Sequence, residues 1–299
     1  MGRLSMKDRF TKITLAGVGL LGGSLGLKIQ ELRLADETVG YVRRVGSVEE
    51  CSRVGVVNRA VTSIEDAFSG AELVVFCTPV AQMSALAKES LPFLKPGTLV
   101  TDVGSTKRDV VKQMESIFVP KGIHFVGSHP MAGSEKTGPV HAYADLFRGA
   151  LCLITPTSVT NSRALMAIED FWRKIGCLTE RLSPEEHDAL VCRASHLPHI
   201  IAATLVYHAL GHKPRKLGLL PRICASGFRD TTRVASGSPD MWRDIVLSNR
   251  DRIAEELEDY QSTLNRIKKI LQEGSAEEIY RFFELARTLR NNWLDSKQK

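Results

Sequence analysis

Residues 12–26 read KITLAGVGLLGGSLG and decide the fold of the first half of the chain. The apolar residues that precede Gly17 predict a short buried strand, and those that follow Gly19 predict a helix. The glycines match the pattern G-x-G-x-x-G and lie where that pattern is specific, between a strand and a helix. Such a turn predicts the first βα unit of a doubly wound parallel sheet.

The glycines of this turn have separate roles. Gly17 allows the tight turn, Gly19 lets the backbone approach a diphosphate, and Gly22 lets the helix pack closely on the sheet. The helix N-terminus adds free N–H groups and a partial positive charge, which favour phosphate. A glycine-rich turn without a ligand is the alternative. We expect the turn to bind a dinucleotide cofactor through Gly17, Gly19, Leu20, Leu21 and Gly22.

The end of the second predicted strand indicates which dinucleotide binds. A NAD site places Asp or Glu there, on the ribose 2′-hydroxyl. Here Val42 takes that position, and Arg43 and Arg44 follow it. Because a guanidinium can pair with a 2′-phosphate, this sequence favours NADP over NAD. Two solvated surface charges are the alternative.

Strands and helices alternate as far as residue 155. Ser47 and Glu50 form a capping box that predicts the start of a short helix. Near-continuous apolar strands separated by helices indicate a parallel sheet that is covered on both faces. The further predicted strands are Thr38–Val42, Glu72–Cys77, Leu99–Val103, Ile123–Val126 and Leu151–Ile154.

Beyond residue 155 nearly every segment predicts helix. A capping box at Ser183 opens a long segment that runs to about Leu210, in which Pro198 predicts a kink or break. An apolar stripe over residues 253–271 and a second cap at Ser275 predict two further helices. The fold class is therefore α/β: an N-terminal Rossmann-type domain, residues 1–155, followed by an all-α substrate domain, residues 156–299.

Composition excludes several classes of protein. The 299 residues are 43% hydrophobic and 25% charged, which is typical of a globular protein and not of a disordered chain. The net charge of +6 is spread evenly over both halves, so a nucleic-acid partner is not favoured. No signal peptide is visible, and the longest apolar run, residues 200–210, is too short to span a bilayer. We expect a cytoplasmic protein without a membrane partner.

Several polar side chains follow the predicted strands. Ligands of open parallel sheets lie outside the carboxyl ends of the strands. Thr78 and Pro79 follow one strand, Ser105 follows the next, and His129 follows the one after. His129 is a candidate for proton transfer because an imidazole titrates near neutral pH. A capping or packing histidine is the alternative.

The helical half adds two more groups of polar residues. His196 and His199 are three residues apart, but no third ligand is near in sequence, so we expect no metal site. Arg229 and Arg233 flank hydroxyl residues and resemble an anion site. Salt bridges with Asp230 and Asp244 are the alternative.

Taken together, these residues resemble the prephenate/arogenate dehydrogenase family of tyrosine biosynthesis. The resemblance covers nearly the whole chain, including the glycine turn. The most specific blocks are CTP (77–79), TDVGSTK (101–107), GSHPMAGSEKTG (127–138), SHLPH (195–199), GFRDTTR (227–233) and PDMWRD (239–244). The resemblance implies oxidative decarboxylation of a cyclohexadienol substrate, with hydride transfer to a nicotinamide cofactor.

The resemblance also implies roles for individual residues. His129 would accept a hydrogen bond from the ring hydroxyl, with Ser105 assisting it. Arg233 would bind the ring carboxylate, and His199 would line the substrate site. Arg229 and Trp242 are further candidates for substrate binding. The family forms homodimers through its helical domain, which the apolar stripes of this chain would suit.

Three alternatives remain open at this point. Arogenate, or both arogenate and prephenate, could be the substrate, although Trp242 favours prephenate. Another two-domain enzyme, such as a hydroxyacid dehydrogenase, would place a catalytic lysine on a helix of its second domain, and Lys174 lies in no such block. A non-catalytic NADP-sensing protein would lack His129 or Arg233, and both are present.

Overall fold

The structure, a computed structural model, describes residues 9–211 and 219–297. Residues 1–8, the N-terminal segment in which we expected no signal peptide, lie outside the described residues. The internal contacts divide the chain into two compact units, residues 1–249 and 250–299. The boundary predicted at residue 155 stays a prediction.

The strands of the described residues form one sheet in the first unit. Their order across the sheet is β3-β2-β1-β4-β5-β6-β7-β8. The strands are β1 Phe10–Ala16, β2 Ala35–Tyr41, β3 Arg59–Val61, β4 Leu73–Phe76, β5 Leu99–Asp102, β6 His124–Pro130, β7 Leu151–Thr155 and β8 Leu178–Arg181. The first six strands run parallel in the order of a dinucleotide-binding fold, which confirms the predicted fold class.

Both faces of the sheet are covered, as the sequence predicts. In β4, Leu73 and Val75 pack into one buried apolar layer, whereas Val74 and Phe76 pack into the other. Successive side chains of a strand point to opposite faces, so a strand buried on both faces has to be apolar throughout.

The sheet differs from the prediction at one edge. β7 pairs with β6 antiparallel, and β8 then pairs with β7 in parallel, so the sheet is mixed. β8 was not predicted because its sequence, LTER, is polar and mostly exposed, as suits an edge strand. β3 was missed because it is only three residues long.

The helices of the first unit connect and cover these strands. They are α1 Leu20–Glu31, α2 Val45–Val54, α3 Ile64–Phe68, α4 Val80–Ser90, α5 Arg108–Phe118, α6 Ser162–Ile175, α7 Pro184–Val191, α8 Leu197–Leu210, α9 Leu220–Ile223, α10 Ser226–Thr232 and α11 Pro239–Ser248. The capping box predicted at Ser183 is confirmed. The one predicted at Ser47 is wrong, because α2 already begins at Val45 with Arg44 as its N-cap.

A π-helical turn, Cys192–His196, joins α7 to α8 just before Pro198. The proline lacks an N–H group and cannot continue a regular helical ladder. The predicted irregularity is therefore a wide turn within one helical run and not a break. π turns of this kind frequently occur at functional sites.

The run Pro184–Leu210 has the length and mean hydropathy, 1.4, of a membrane span. Length and composition alone do not identify a span, since helices of soluble proteins meet the same test. Here α7 packs against α5 and β7, and it carries the buried polar residues His187 and Asp188. We therefore interpret Pro184–Leu210 as a helical run that packs on the first unit and contributes to the functional site described below.

The second unit consists of two long helices, α12 Arg250–Glu273 and α13 Ala276–Lys297. The predicted cap is confirmed, because the N–H group of Glu278 donates to Ser275 Oγ at 3.2 Å. Many apolar side chains of these helices are exposed, among them Leu264, Leu271, Phe283, Leu289 and Trp293.

Candidate active site

The turn between β1 and α1 has the shape that a diphosphate requires. Gly17 has φ +104°, a backbone conformation that favours glycine, and a Cβ on Gly22 would lie 2.1 Å from the Gly17 carbonyl oxygen. A Cβ on Gly19 would meet nothing within 4 Å, so the space above this residue is open. The N-cap of α1 makes no side-chain hydrogen bond, and the first turn of the helix has no acidic residue. The turn therefore fits a dinucleotide.

Thr78 lies against this turn. A Cβ on Gly17 would be 3.0 Å from the Thr78 backbone nitrogen, so the loop after β4 contacts the glycine turn as predicted from the sheet order. Thr78 Oγ1 is buried and has no hydrogen-bond partner within the described residues. A buried hydroxyl without a partner beside the glycine turn is a group with which a bound cofactor could form a hydrogen bond. Pro79 is the N-cap of α4.

Arg43 and Arg44 follow β2 and are both exposed, whereas Val42 is buried. Neither guanidinium pairs with an acidic side chain of the described residues. Both are therefore available to an anion at the end of β2.

A buried ion pair stabilises the loop after β5. Lys107 Nζ donates to Asp102 Oδ2, and both side chains are fully buried. The other carboxylate oxygen of Asp102 accepts from the backbone N–H of Ser128 in β6, at 3.1 Å. These contacts fix the loop that carries Ser105, which is half-buried, next to the strand that carries His129.

His129 lies within β6 and not in a loop after it, because the antiparallel pairing with β7 extends that strand to Pro130. Its ring is buried, and its Nδ1 lies 2.9 Å from Nε2 of His187 on α7. His187 Nδ1 in turn lies 2.8 Å from Asp188 Oδ1. A buried chain Asp188–His187–His129 therefore ends at the candidate catalytic residue.

The chain fixes the tautomer of both imidazoles. An ionised carboxylate only accepts hydrogen bonds, so His187 donates from Nδ1 and its Nε2 is left as an acceptor. His129 must then donate from Nδ1 to His187 Nε2. His129 Nε2 is therefore unprotonated and carries a lone pair. That nitrogen has no partner among the described residues. It can accept a proton or a hydrogen bond from a ligand.

Asp188 is held in place by the start of α5. Its Oδ1 accepts from the N–H group of Lys107 at 2.7 Å, and its Oδ2 accepts from that of Arg108 at 3.0 Å. Burial raises the pKa of Asp188, but the hydrogen bonds from His187 and these N–H groups outweigh burial and leave it below its usual value. The carboxylate is therefore ionised at neutral pH and can orient His187.

His129 and His187 are both neutral at pH 7. Burial lowers the pKa of His129 well below 6.5, and the charges of His187, Lys107 and His196 lower it further. Burial also lowers the pKa of His187, although its hydrogen bond to Asp188 opposes this. A neutral His129 is the form that can accept a proton.

A second group lies around Trp242. Its ring stacks on His199, with centroids 3.9 Å apart and planes 30° from parallel. Arg233 lowers the pKa of His199, after burial, and donates to Glu135 at 3.4 Å. The structure thus brings His199, Trp242 and Arg233 together as candidates for binding an anionic substrate.

Arg229 is placed differently. Its side chain is 77% exposed and pairs with the adjacent Asp230 at 3.1 Å. Arg233 is 65% exposed but reaches Glu135 in another segment of the chain. Among the described residues there is no cluster of three or more side chains that could hold a metal ion.

Sequence reasoning missed His187 and Asp188. His187 and Asp188 were visible only as part of a capped helix, and their buried face depends on how α7 packs against α5. The adjacent His-Asp pair gave no usable signal by itself, because polar residues on a helix need protein partners only once packing buries them.

The chain is similar throughout its length to known proteins. It matches the family models described as "Prephenate dehydrogenase, nucleotide-binding domain" over residues 25–180 and "Prephenate dehydrogenase, dimerization domain" over residues 183–285. It is 35% identical to a prephenate dehydrogenase of Bacillus subtilis, over 98% of this chain and 78% of that protein. It is 32% identical to a cyclohexadienyl dehydrogenase of Zymomonas mobilis, over 94% and 95% of the two chains.

A solved structure shares the fold. The crystal structure of prephenate dehydrogenase from Aquifex aeolicus, in complex with hydroxyphenyl propionate and NAD+, superimposes with a TM-score of 0.89. The two chains are 30% identical, and the match covers 95% of this chain and 98% of that one.

Proposed function

This chain belongs to the prephenate dehydrogenase family of pyridine-nucleotide oxidoreductases, and from that premise we propose that it converts prephenate to 4-hydroxyphenylpyruvate in tyrosine biosynthesis. The reaction transfers a hydride from the ring carbinol carbon, releases the ring carboxylate as carbon dioxide and leaves an aromatic phenol. The observation that carries the proposal is the buried chain Asp188–His187–His129.

His129 acts on the hydroxyl of the reacting carbon. As hydride leaves, this hydroxyl becomes more acidic, and the lone pair on His129 Nε2 accepts its hydrogen bond. The contact strengthens as charge develops, so it stabilises the transition state more than the ground state. Asp188 and His187 keep that nitrogen unprotonated. Ser105 lies on the neighbouring loop and assists in positioning the hydroxyl.

The cofactor, when bound, accepts the hydride at its nicotinamide ring. Gly17, Gly19 and Gly22 would hold its diphosphate against the N-terminus of α1, with Leu20 and Leu21 supplying N–H groups. Thr78 and Pro79 would line the next part of the cleft.

The direct test is reduction of the cofactor by the purified protein. We expect prephenate to produce reduced nicotinamide and 4-hydroxyphenylpyruvate in equal amounts. Arogenate is the second candidate, because the Glu135 carboxylate beside Arg233 would suit its ammonium group. Paired kinetic constants distinguish a prephenate enzyme from an arogenate or dual-specificity enzyme. A protein that binds cofactor but oxidises neither substrate would contradict the proposal and favour a sensing role.

We propose NADP as the preferred cofactor, because Arg43 and Arg44 are exposed, lack acidic partners within the described residues and follow a strand that ends without a carboxylate. Replacing both with Ala should raise the KM for NADP at least about tenfold more than the KM for NAD, since only NADP carries the 2′-phosphate. Arg53→Ala, near the other end of α2, is the matched control. An enzyme that prefers NAD, with a double variant that changes neither KM, would disprove this.

Arg233 is proposed to bind the ring carboxylate. We expect Arg233→Ala to raise the KM for prephenate at least about tenfold, a modest effect for a charge-assisted pair because the side chain is 65% exposed. Arg233→Lys should recover only part of the affinity, since Lys lacks the planar fork of donors. Arg229→Ala is measured in parallel. If Arg229→Ala raised the KM and neither Arg233 variant did, the anion-binding role would belong to Arg229.

The match of residues 183–285 to a dimerization domain supports a homodimer. We propose that the exposed apolar side chains of α12 and α13 contribute to its interface, and sedimentation of the purified protein tests the stoichiometry. We also propose a cytoplasmic location, in keeping with its similarity to biosynthetic dehydrogenases.

A further inference from the structure

The end of α11 contacts two segments of the candidate site that lie far apart in the chain. Asn249 is the C-cap of this helix and is fully buried, although asparagine is usually exposed. Its Nδ2 donates to the main-chain carbonyl of Asp188 at 2.9 Å and lies 3.2 Å from His196 Nδ1. The neighbouring Ser248 Oγ lies 2.9 Å from Oγ1 of Thr106, in the loop after β5. The end of α11 thus contacts the helical run Pro184–Leu210 and the loop after β5.

The contacts of Asn249 fix the orientation of its amide. A carbonyl only accepts hydrogen bonds, so the NH2 group of the amide faces Asp188. The second hydrogen of that group is directed to His196 Nδ1, which accepts it. Burial lowers the pKa of His196 to about 4, so the ring is neutral at pH 7 and carries its single proton on Nε2. That Nε2–H group faces the main-chain carbonyl of Ser105, which raises the pKa of His196.

The π turn Cys192–His196 brings Asp188 and His196 to one face of the helical run. The two residues are eight positions apart, which in a regular α-helix would place them about 80° apart around the axis, at roughly 100° per residue. The wide turn takes up one extra residue, so the two lie within about 20° of each other. A π turn also interrupts the regular ladder of main-chain hydrogen bonds. A side-chain donor to the Asp188 carbonyl therefore stabilises this arrangement.

Asp188 is held at two points as a result. Its carboxylate accepts from the N–H groups at the start of α5 and from His187, and its main-chain carbonyl accepts from Asn249. The start of α5 follows closely on Thr106, whose hydroxyl contacts Ser248. The end of α11, the start of α5 and α7 therefore form a closed set of contacts around the carboxylate that orients His187.

We propose that Asn249 is a positioning residue that keeps the Asp188–His187–His129 chain aligned with the loop after β5. It acts through the main chain of Asp188 and the ring of His196, and not on substrate or cofactor. A small displacement of a catalytic group lowers the rate by a large factor, so this distant contact affects kcat. The proposal rests on the proposed function for the reaction, but two of its three measurements do not require turnover.

The first measurement uses the unaltered protein with ¹⁵N-labelled histidine. Long-range ¹H–¹⁵N correlation spectra distinguish the two neutral tautomers of each ring. Because Asn249 donates to Nδ1 of His196, we expect the proton of His196 on Nε2, whereas His129 and His187 carry theirs on Nδ1 and serve as references. A proton on Nδ1 of His196 would show that Asn249 does not donate to it. That result would overturn the proposal, whether or not the protein oxidises prephenate.

The second measurement tests whether Asn249 holds the chain in place. Asn249→Leu keeps most of the side-chain volume and removes both donors, and Asn249→Ser is a smaller polar change in case the leucine variant does not fold. We expect the His187 Nδ1–H proton to exchange with solvent at least about tenfold faster in the variants, because exchange of a buried proton requires local opening. An unchanged exchange rate in a folded Asn249 variant would contradict the proposal.

Asn161→Ala is the matched control for this measurement. Asn161 also pairs with the main chain, since its Oδ1 accepts from the N–H groups of Arg163 and Ala164 at 3.0 and 3.1 Å and caps α6. It makes no contact with Asp188, His187 or His129 in the described residues. We expect this variant to be less stable but to keep the exchange rate of the His187 proton, and kcat, within about threefold of the wild type.

The third measurement is kinetic. We expect the Asn249 variants to lower kcat at least about tenfold and to leave the KM for prephenate and for the cofactor within about threefold, since Asn249 binds neither ligand. In combination with His187→Phe, which removes the acceptor for His129 Nδ1–H, Asn249→Leu should lower kcat by no more than a further factor of about three, because both changes act on one chain. A folded Asn249 variant with wild-type kcat, or two effects that multiply, would overturn the proposal.

Discussion

The His129→Asn variant is expected to turn over at least about a hundredfold more slowly than the wild type while binding cofactor normally and substrate almost normally. A positioned acid–base group contributes roughly 10²–10⁴ in rate. The substitution is well matched, because an asparagine amide can take the place of Nδ1 and keep the hydrogen bond to His187. Only the acceptor at Nε2 is lost, and the loss falls on kcat because the contact strengthens in the transition state.

The pH dependence of the rate gives an independent test of the same residue. Burial, His187, Lys107 and His196 all lower the pKa of His129, so the imidazole stays neutral and active down to a pH well below 6.5. The rate of the wild type should fall as the pH drops through that lowered pKa, since protonated His129 cannot accept a hydrogen bond. The variant should lack this acid limb. A variant with near wild-type turnover and the same limb would make His129 a structural residue.

His187 is expected to act on the rate through His129. His187→Phe fills the same buried space but removes the acceptor for His129 Nδ1–H, so His129 is free to move its proton to Nε2. We expect kcat to fall at least about tenfold with little change in KM. With its proton on Nε2, His129 can no longer accept a hydrogen bond from the substrate, and most of its contribution to the rate as an acid–base group is lost. The unpaired groups should also lower the free energy of unfolding by about 1–3 kcal/mol.

His187→Gln is the conservative comparison. Its amide oxygen can accept from His129 and should recover a large part of the rate, which a purely structural role would not explain. The acid limb is measured for both variants, because a positioning residue changes the pH profile and a packing residue does not. A folded His187→Phe protein with wild-type kcat and an unchanged acid limb would remove His187 from the mechanism.

Much of the fold could be predicted from local sequence. The glycine turn, the apolar strands and the capping box at Ser183 are short-range patterns, and each is confirmed. The polar edge strand β8 could not be predicted, because it has no apolar pattern and is fixed only by its pairing with β7. The start of α2 was predicted wrongly because Ser47 satisfies the capping pattern two residues inside the helix.

The residues of the candidate site also fall into those that could be predicted from the sequence and those that could not. His129 and Ser105 could be selected because the carboxyl ends of parallel strands meet at one edge. His187 and Asp188 make contacts that join segments far apart in the chain. Lys107 and Asp188, for example, are 81 residues apart. No pattern of spacing encodes such contacts, so they are visible only once the helices are placed on the sheet.

The cap that Asp188 provides for α5 has a consequence for how this enzyme could be modified or assembled from parts. One carboxylate caps the start of α5, which covers the sheet, and also accepts from His187, so this helix and the proposed Asp188–His187–His129 chain share one group. We expect a variant that loses this carboxylate to lose both contacts at once. A chimaera that exchanges either half between relatives would have to keep the Lys107–Arg108 backbone and Asp188 as an inseparable pair.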